Sequence, residues 1–282
     1  MRLSVRFTTL AAVVTILAGG THAHSERGRQ QFPVPTLTDV RDILAQLEWP
    51  IISNVVNRYF VPVIPKLYGN NSDAPLQRYL KQEEITARLL GRYSYGQLEY
   101  PYEINGPAPD SNGTLFKPGT FHEDGKSSNP ALLTFYTTTV LPLIAQTPTR
   151  PFYFHLANES NADGDAALEA DVNILQLISH RVHIGKTVAE SKYAGDVALY
   201  TPLIHSGNST ALRALVTNTT QEQVVLTQAD QAVNATVQAV IASGEIVPPG
   251  LLAAARSVVA KLFRELIDET TLVEIDYLLA RL

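Results

Sequence analysis

The sequence predicts an all-α fold: a single-domain helical bundle with one long central helix. Three observations carry this. Apolar residues recur at helical spacing through several long stretches, and the densest clusters of Pro and Gly fall between those stretches. Nowhere does a set of segments alternate apolar and polar residues as half-buried strands would.

The first helix is expected over about residues 36–59, where Val40, Ile43, Leu44 and Leu47 keep the i, i+3, i+4, i+7 rhythm. Trp49-Pro50 should kink or break it, because proline lacks the N–H and its ring clashes with the preceding turn. A second helix of weaker rhythm spans about 75–93. A long loop then holds Tyr100-Pro101, Gly106-Pro107, Pro109, Asn112-Gly113 and Pro118-Gly119, all turn chemistry. Loops of that length are usually functional or disordered. A short helix is expected near 130–146, and a further loop over 148–164. The central helix should run from about Asp165 to Leu203, followed by helices over about 219–241 and 249–282. Pro248-Pro249 supplies a first-turn signal for the last one.

The 282 residues suffice to bury a sizeable core, and with 45% hydrophobic and 17% charged residues the chain is globular in composition. A net charge of −5 and the lack of a basic arm or patch speak against nucleic-acid binding. An anionic ligand would therefore be captured by local cations against a mildly unfavourable overall field. With no cysteine, thiol nucleophiles, thiolate metal sites and disulfides are all excluded.

Residues 1–23 read as a secretory signal. Arg2 and Arg6 precede an apolar run, Leu10 to Ala18, too short to span a bilayer, and Thr21-His22-Ala23 offers small residues for cleavage. A transit peptide is the rival, since the segment lacks acids and carries Ser and Thr. Residues 24–35 form a polar tail, and 36–282 the domain proper. Acceptor sequons at Asn70, Asn112, Asn158, Asn208, Asn218 and Asn234 fit a secreted glycoprotein.

The most informative stretch is Ser179 to Lys192, which reads as continuous helix with no Pro and one Gly. Arg181 and Lys192 stand eleven residues apart. That is about three turns, so they share a face roughly 16 Å apart along the axis. Such a pair could clamp the two ends of a small anionic molecule; a solvated charged face would show the same spacing. Asn218 and Glu222, and Thr270 and Glu274, are i, i+4 pairs and share faces of their helices.

Residues Asp171 to Ile204, through Arg181-Val182-His183, Gly185-Lys186, Ala189-Glu190-Ser191-Lys192 and Leu199-Tyr200-Thr201, resemble the long central helix of the all-α chorismate mutases of fungal and plant type. Glu274 to Leu282 is similar to that family's last helix. The resemblance implies conversion of chorismate to prephenate, no cofactor and no metal, and a homodimer. Matched residue by residue, it implies Arg41, Arg181, Lys192 and Glu274 as catalytic residues, with Asn218, Glu222 and Thr270 binding substrate.

In two places the family pattern fails. The regulatory site for tryptophan and tyrosine uses adjacent arginines and a Gly-Ser pair, where this chain has Gly91-Arg92 and Asp165-Ala166. Loss of control by those amino acids is therefore expected. Asn218 also begins a sequon, Asn218-Thr219-Thr220, and a glycan there would block the implied pocket. An inactive secreted protein binding a partner through its Tyr-rich loop, Tyr93 to Tyr102, is the alternative. An organellar mutase would follow from a transit peptide. Other motifs fail: the calcium-loop pattern around Asp163-Gly164-Asp165 has Ala170 where a bidentate Glu is required, and His180 and His183 lack a third ligand.

Overall fold

The computed structural model of the chain describes residues 34–69, 73–89, 102, 119–122, 124–147 and 161–281. The leader and the Tyr-rich loop, apart from Tyr102, lie outside the described residues. Among them every regular element is helical: α1 Leu37–Arg58, a 3₁₀ turn Pro65–Leu67, α2 Pro75–Leu89, α3 Asn129–Phe135, a π-helical turn Tyr136–Val140, α4 Leu141–Ala145, α5 Asn161–His183, α6 Gly185–Gly195, α7 Val197–His205, α8 Ser209–Val216, α9 Thr219–Ala242 and α10 Leu251–Leu279.

Helix α1 opens with a reciprocal cap. Thr36 Oγ accepts the Asp39 N–H at 3.2 Å, and the Asp39 carboxylate accepts the Thr36 N–H at 3.0 Å. Of the kink or break expected at Pro50, the break does not occur: the helix expected over 36–59 runs as α1 to Arg58. Asn54 Nδ2 donates to the Pro50 carbonyl at 2.8 Å, and Ile51, Ile52, Val55 and Val56 beyond it are fully buried. Burial of that apolar face outweighs the one ladder bond proline removes.

The central helix is not continuous; it is a series of three. Ile184 interrupts it between α5 and α6, although Ile184 N–H still donates to His180 O and Val188 N–H to Ile184 O, both at 3.1 Å. Gly185 sits at this step because a Cβ there would lie 2.9 Å from the Thr270 carbonyl oxygen of α10. Asp196, with φ −153° and ψ 70°, ends α6, and its carboxylate accepts the Leu199 N–H at 3.1 Å to start α7. Helix α8, which the apolar rhythm does not predict, is started the same way by Asn208, whose Oδ1 accepts the Ala211 N–H at 3.0 Å.

Helices α1, α5, α9 and α10 pack on one another around the main core, which includes Val55, Leu175, Ile178, Val233, Leu262 and Leu266. A second cluster of Ala189, Tyr200, Leu212, Val216, Ile275 and Leu278 joins α6, α7 and α8 to the end of α10. Within the main core lies a charged network: Arg58 Nε donates to Asp171 Oδ1 at 2.6 Å, and the hydroxyls of buried Tyr136 and half-buried Tyr68 donate to the same carboxylate at 2.6 and 2.8 Å. The segment before α3 is pinned to α5 and α6 by the Lys186–Asp124 pair and by the Ser128 N–H, which donates to His183 Nε2 at 3.1 Å. His183 Nδ1 donates to Ser179 O at 2.8 Å, so both ring nitrogens serve packing. Burial holds this imidazole neutral down to about pH 4.

Candidate active site

Residues of seven helices, α1 and α5 to α10, line a cavity of about 460 Å³. All seven residues that the family resemblance implies line it: Arg41 from α1, Arg181 from α5, Lys192 from α6, Asn218 and Glu222 from the start of α9, and Thr270 and Glu274 from α10. They come from positions as far apart as 41 and 274, brought together by the bundle. Arg181 and Lys192 open onto the same cavity despite the interruption at Ile184, because the backbone ladder carries across it.

Each side chain has a definite support. Arg181 is buried; its Nη1 donates to Thr270 Oγ at 2.8 Å, and Thr270 Oγ in turn donates to the Leu266 carbonyl at 2.5 Å. This chain of bonds fixes the guanidinium plane. Its Nε–H is buried with no hydrogen-bond partner, a donor left for an incoming acceptor. Lys192 Nζ donates to Glu274 Oε2 and to the Val216 carbonyl, both at 2.6 Å, so it is held from α10 and from the end of α8. Asn218 is the cap of α9, its Oδ1 accepting the Gln221 N–H at 3.0 Å. Glu222 follows in the first helical turn, half-buried. Arg41 is exposed at the edge of the cavity on α1.

One participant escapes the sequence pattern. Glu48 is buried, lines the cavity and stands 3.9 Å from Arg181 Nη2. It lies two turns beyond Arg41 on α1, and that spacing is the signal that could have found it. Burial raises its pKa, with Arg181 opposing. The cavity thus holds three cations, Arg41, Arg181 and Lys192, against four carboxylates, Glu48, Asp196, Glu222 and Glu274. Loss of charge on a buried carboxyl would favour acceptance of a dianion. Glu274 is poised for that loss: burial lifts its pKa from 4.5 to about 7, against the opposing pull of Lys192 and Arg181.

Among the described residues no three His, Asp or Glu side chains are grouped to hold a metal ion, and no helix is long and apolar enough to cross a membrane. What the cavity offers is an array of donors and two buried acids, Glu48 and Glu274, that burial pushes toward the neutral form. It has no nucleophile activated by a base.

No family model matches the chain. Individual relatives do. It is 29% identical over 260 residues to the chorismate mutase of Schizosaccharomyces pombe, covering 87% of this chain and 96% of that one. To chorismate mutase 2 of Petunia hybrida it is 32% identical over 199 residues, 66% of this chain and 70% of the relative. Among solved structures, the Candida albicans chorismate mutase in complex with L-Trp superposes with a TM-score of 0.66 at 26% identity, over 87% of this chain and 91% of that one. The chloroplast chorismate mutase of Zea mays shares the fold, with a TM-score of 0.65 at 24% identity over 93% and 98% of the two chains. With its all-α fold and a relative more than 30% identical over most of that relative's length, the chain belongs to the eukaryotic chorismate mutase family.

Proposed function

We propose that this chorismate mutase converts chorismate to prephenate in the cavity between α1, α5, α6, α9 and α10. The observation that carries this is the presence in one cavity of all seven side chains implied by the family resemblance. The rearrangement breaks a carbon–oxygen bond and forms a carbon–carbon bond within one molecule. The protein therefore has to fold the flexible dianion into a reactive conformer and stabilise charge on the departing ether oxygen.

Arg181 binds one carboxylate through the buried Nε–H edge left free beside its Thr270 bond, and Arg41 closes on the other. Each such charge-assisted contact is worth about 1.5–3 kcal/mol. Asn218 donates through Nδ2, since its Oδ1 is engaged by the cap, and Glu222 accepts from the ring hydroxyl. Lys192 and protonated Glu274 flank the ether oxygen and donate to it as negative charge builds. An arriving dianion strengthens the case for protonation, because it repels the Glu274 carboxylate and competes for Lys192.

Residues 1–23 direct the chain to the secretory route, and outside the producing cell its product serves no biosynthetic partner of its own. We read it as a secreted effector drawing on another organism's chorismate and acting as a homodimer. Regulation by tryptophan or tyrosine is lost, in keeping with Asp165-Ala166 near the start of α5, where the family resemblance implies a Gly-Ser pair. The decisive experiment follows chorismate absorbance with purified residues 24–282, beside Arg181→Ala and Lys192→Ala, with and without each amino acid. Turnover that collapses in both variants and ignores tryptophan and tyrosine supports the reading. A folded parent without turnover would leave the inactive partner-binding alternative.

A further inference from the structure

We propose that the sequon Asn218-Thr219-Thr220 is a route-dependent off-switch, in which an N-glycan on Asn218 and turnover in the cavity exclude each other. The inference rests on the assignment of this cavity as the active site. Asn218 is exposed, so its side chain is reachable, yet it lines the cavity. Its two polar side-chain atoms have separate duties. Oδ1 accepts the Gln221 N–H at 3.0 Å and caps α9. Nδ2 is left as the only donor Asn218 can offer a substrate, and it is also the atom to which an N-glycan is attached.

A glycan on Nδ2 keeps the amide oxygen. The cap of α9 is therefore retained and the bundle can still fold around the modified residue. The sugar core would, however, leave Asn218 through the mouth of a cavity of about 460 Å³ and occupy the space the substrate needs. Because the oligosaccharide is transferred to the extended chain before folding, the final position of Asn218 does not protect it. Thr220, the hydroxyl residue that completes the sequon, is exposed on α9 and lines no part of the cavity. Two other described sequons act as internal controls. Asn208 caps α8 and Asn234 lies exposed on α9, and neither borders the cavity.

The test compares the full chain secreted from a glycosylating yeast with the same chain made in the bacterial cytoplasm, using peptide mass mapping, chorismate turnover and circular dichroism. Thr220→Ala is made in both hosts to break the sequon while leaving Asn218. The expected result is an occupied, folded and inactive secreted chain, whose residual rate equals the fraction unmodified at Asn218. Thr220→Ala should restore the secreted chain to the bacterial rate while Asn208 and Asn234 stay modified. An unmodified Asn218 beside occupied Asn208 and Asn234, or an occupied chain at the bacterial rate, would overturn the switch. Absence of turnover in the bacterial chain would overturn the cavity assignment itself, and the switch with it.

Discussion

Lys192 Nζ lies 2.6 Å from Glu274 Oε2, joining α6 to α10 across the cavity. Both side chains are mostly removed from water, at 17% and 7% exposure, so the proton on Glu274 is set by a contest between burial and its cationic neighbour. Burial dominates and carries the carboxyl from 4.5 to about 7.

A pH dependence follows from the sign of that shift. The neutral acid is the form that donates to the ether oxygen. Activity should be full at acidic pH and fall as pH rises through about 7. The amide in Glu274→Gln donates at every pH, so the fall should flatten in that variant; an unchanged profile would remove Glu274 from the mechanism. Folding stability should decline as pH rises through a lower window, between about 4.5 and about 7, because the folded pKa lies above the unfolded one.

Arg181 and Lys192 should fail differently. Lys192→Ala removes a donor that matters most when charge develops, and should lower kcat by roughly 10²–10³ with a small change in KM. Arg181→Ala removes a grip on ground and transition state alike, and should raise KM as well as lower kcat. It also strands Glu48, whose facing cation is 3.9 Å away in the parent. Steady-state kinetics on both variants, with far-UV circular dichroism to establish folding, separates the two effects.

Much of this site is legible in the amino-acid sequence. Spacing shows only that Arg181 and Lys192, and each i, i+4 pair, share a helix face, which holds even where the helix is interrupted; that these faces meet in one site is what the family resemblance implies. The interruptions are harder to see. At Ile184 the only local signal is the neighbouring Gly185, and the contact that requires a glycine there, with the Thr270 carbonyl, lies far along the chain. Gly195-Asp196 does carry one, a small residue followed by a capping carboxylate, and the apolar rhythm through Leu203 conceals it. Pro50 misleads in the other direction, since propensity cannot weigh the burial of Ile51, Ile52 and Val55 against one lost hydrogen bond. The Arg58–Asp171 pair, 113 residues apart, has no counterpart in local pattern at all.

Gly185→Ala tests the close approach of α6 to α10. The added methyl would meet Thr270 O at 2.9 Å, Thr270 Cγ2 at 3.1 Å and Val273 Cγ1 at 3.3 Å. The nearest atom is backbone, so the helices must part. We expect a loss of about 1–3 kcal/mol in stability, as for other overpacked sites. Because Thr270 holds Arg181, KM should rise too. A double-mutant cycle with Thr270→Ala reads the coupling: if Gly185 acts on KM through that bond, the effect on KM should shrink once the bond is absent.

Asp171 should matter for stability and not for chemistry. Its carboxylate is fully buried, held by Arg58 and two tyrosine hydroxyls, and Asp171 lines no part of the cavity. Asp171→Ala leaves Arg58 charged and enclosed without its counter-ion, since a guanidinium cannot shed its proton at ordinary pH. Breaking a buried pair from one side typically costs about 3–5 kcal/mol, more than the pair itself contributes. Urea denaturation should therefore show a midpoint shifted well down. The fraction that remains folded should keep the KM of the parent. A normal midpoint would mean that water reaches Arg58, and a changed KM would mean that the core network and the cavity are coupled.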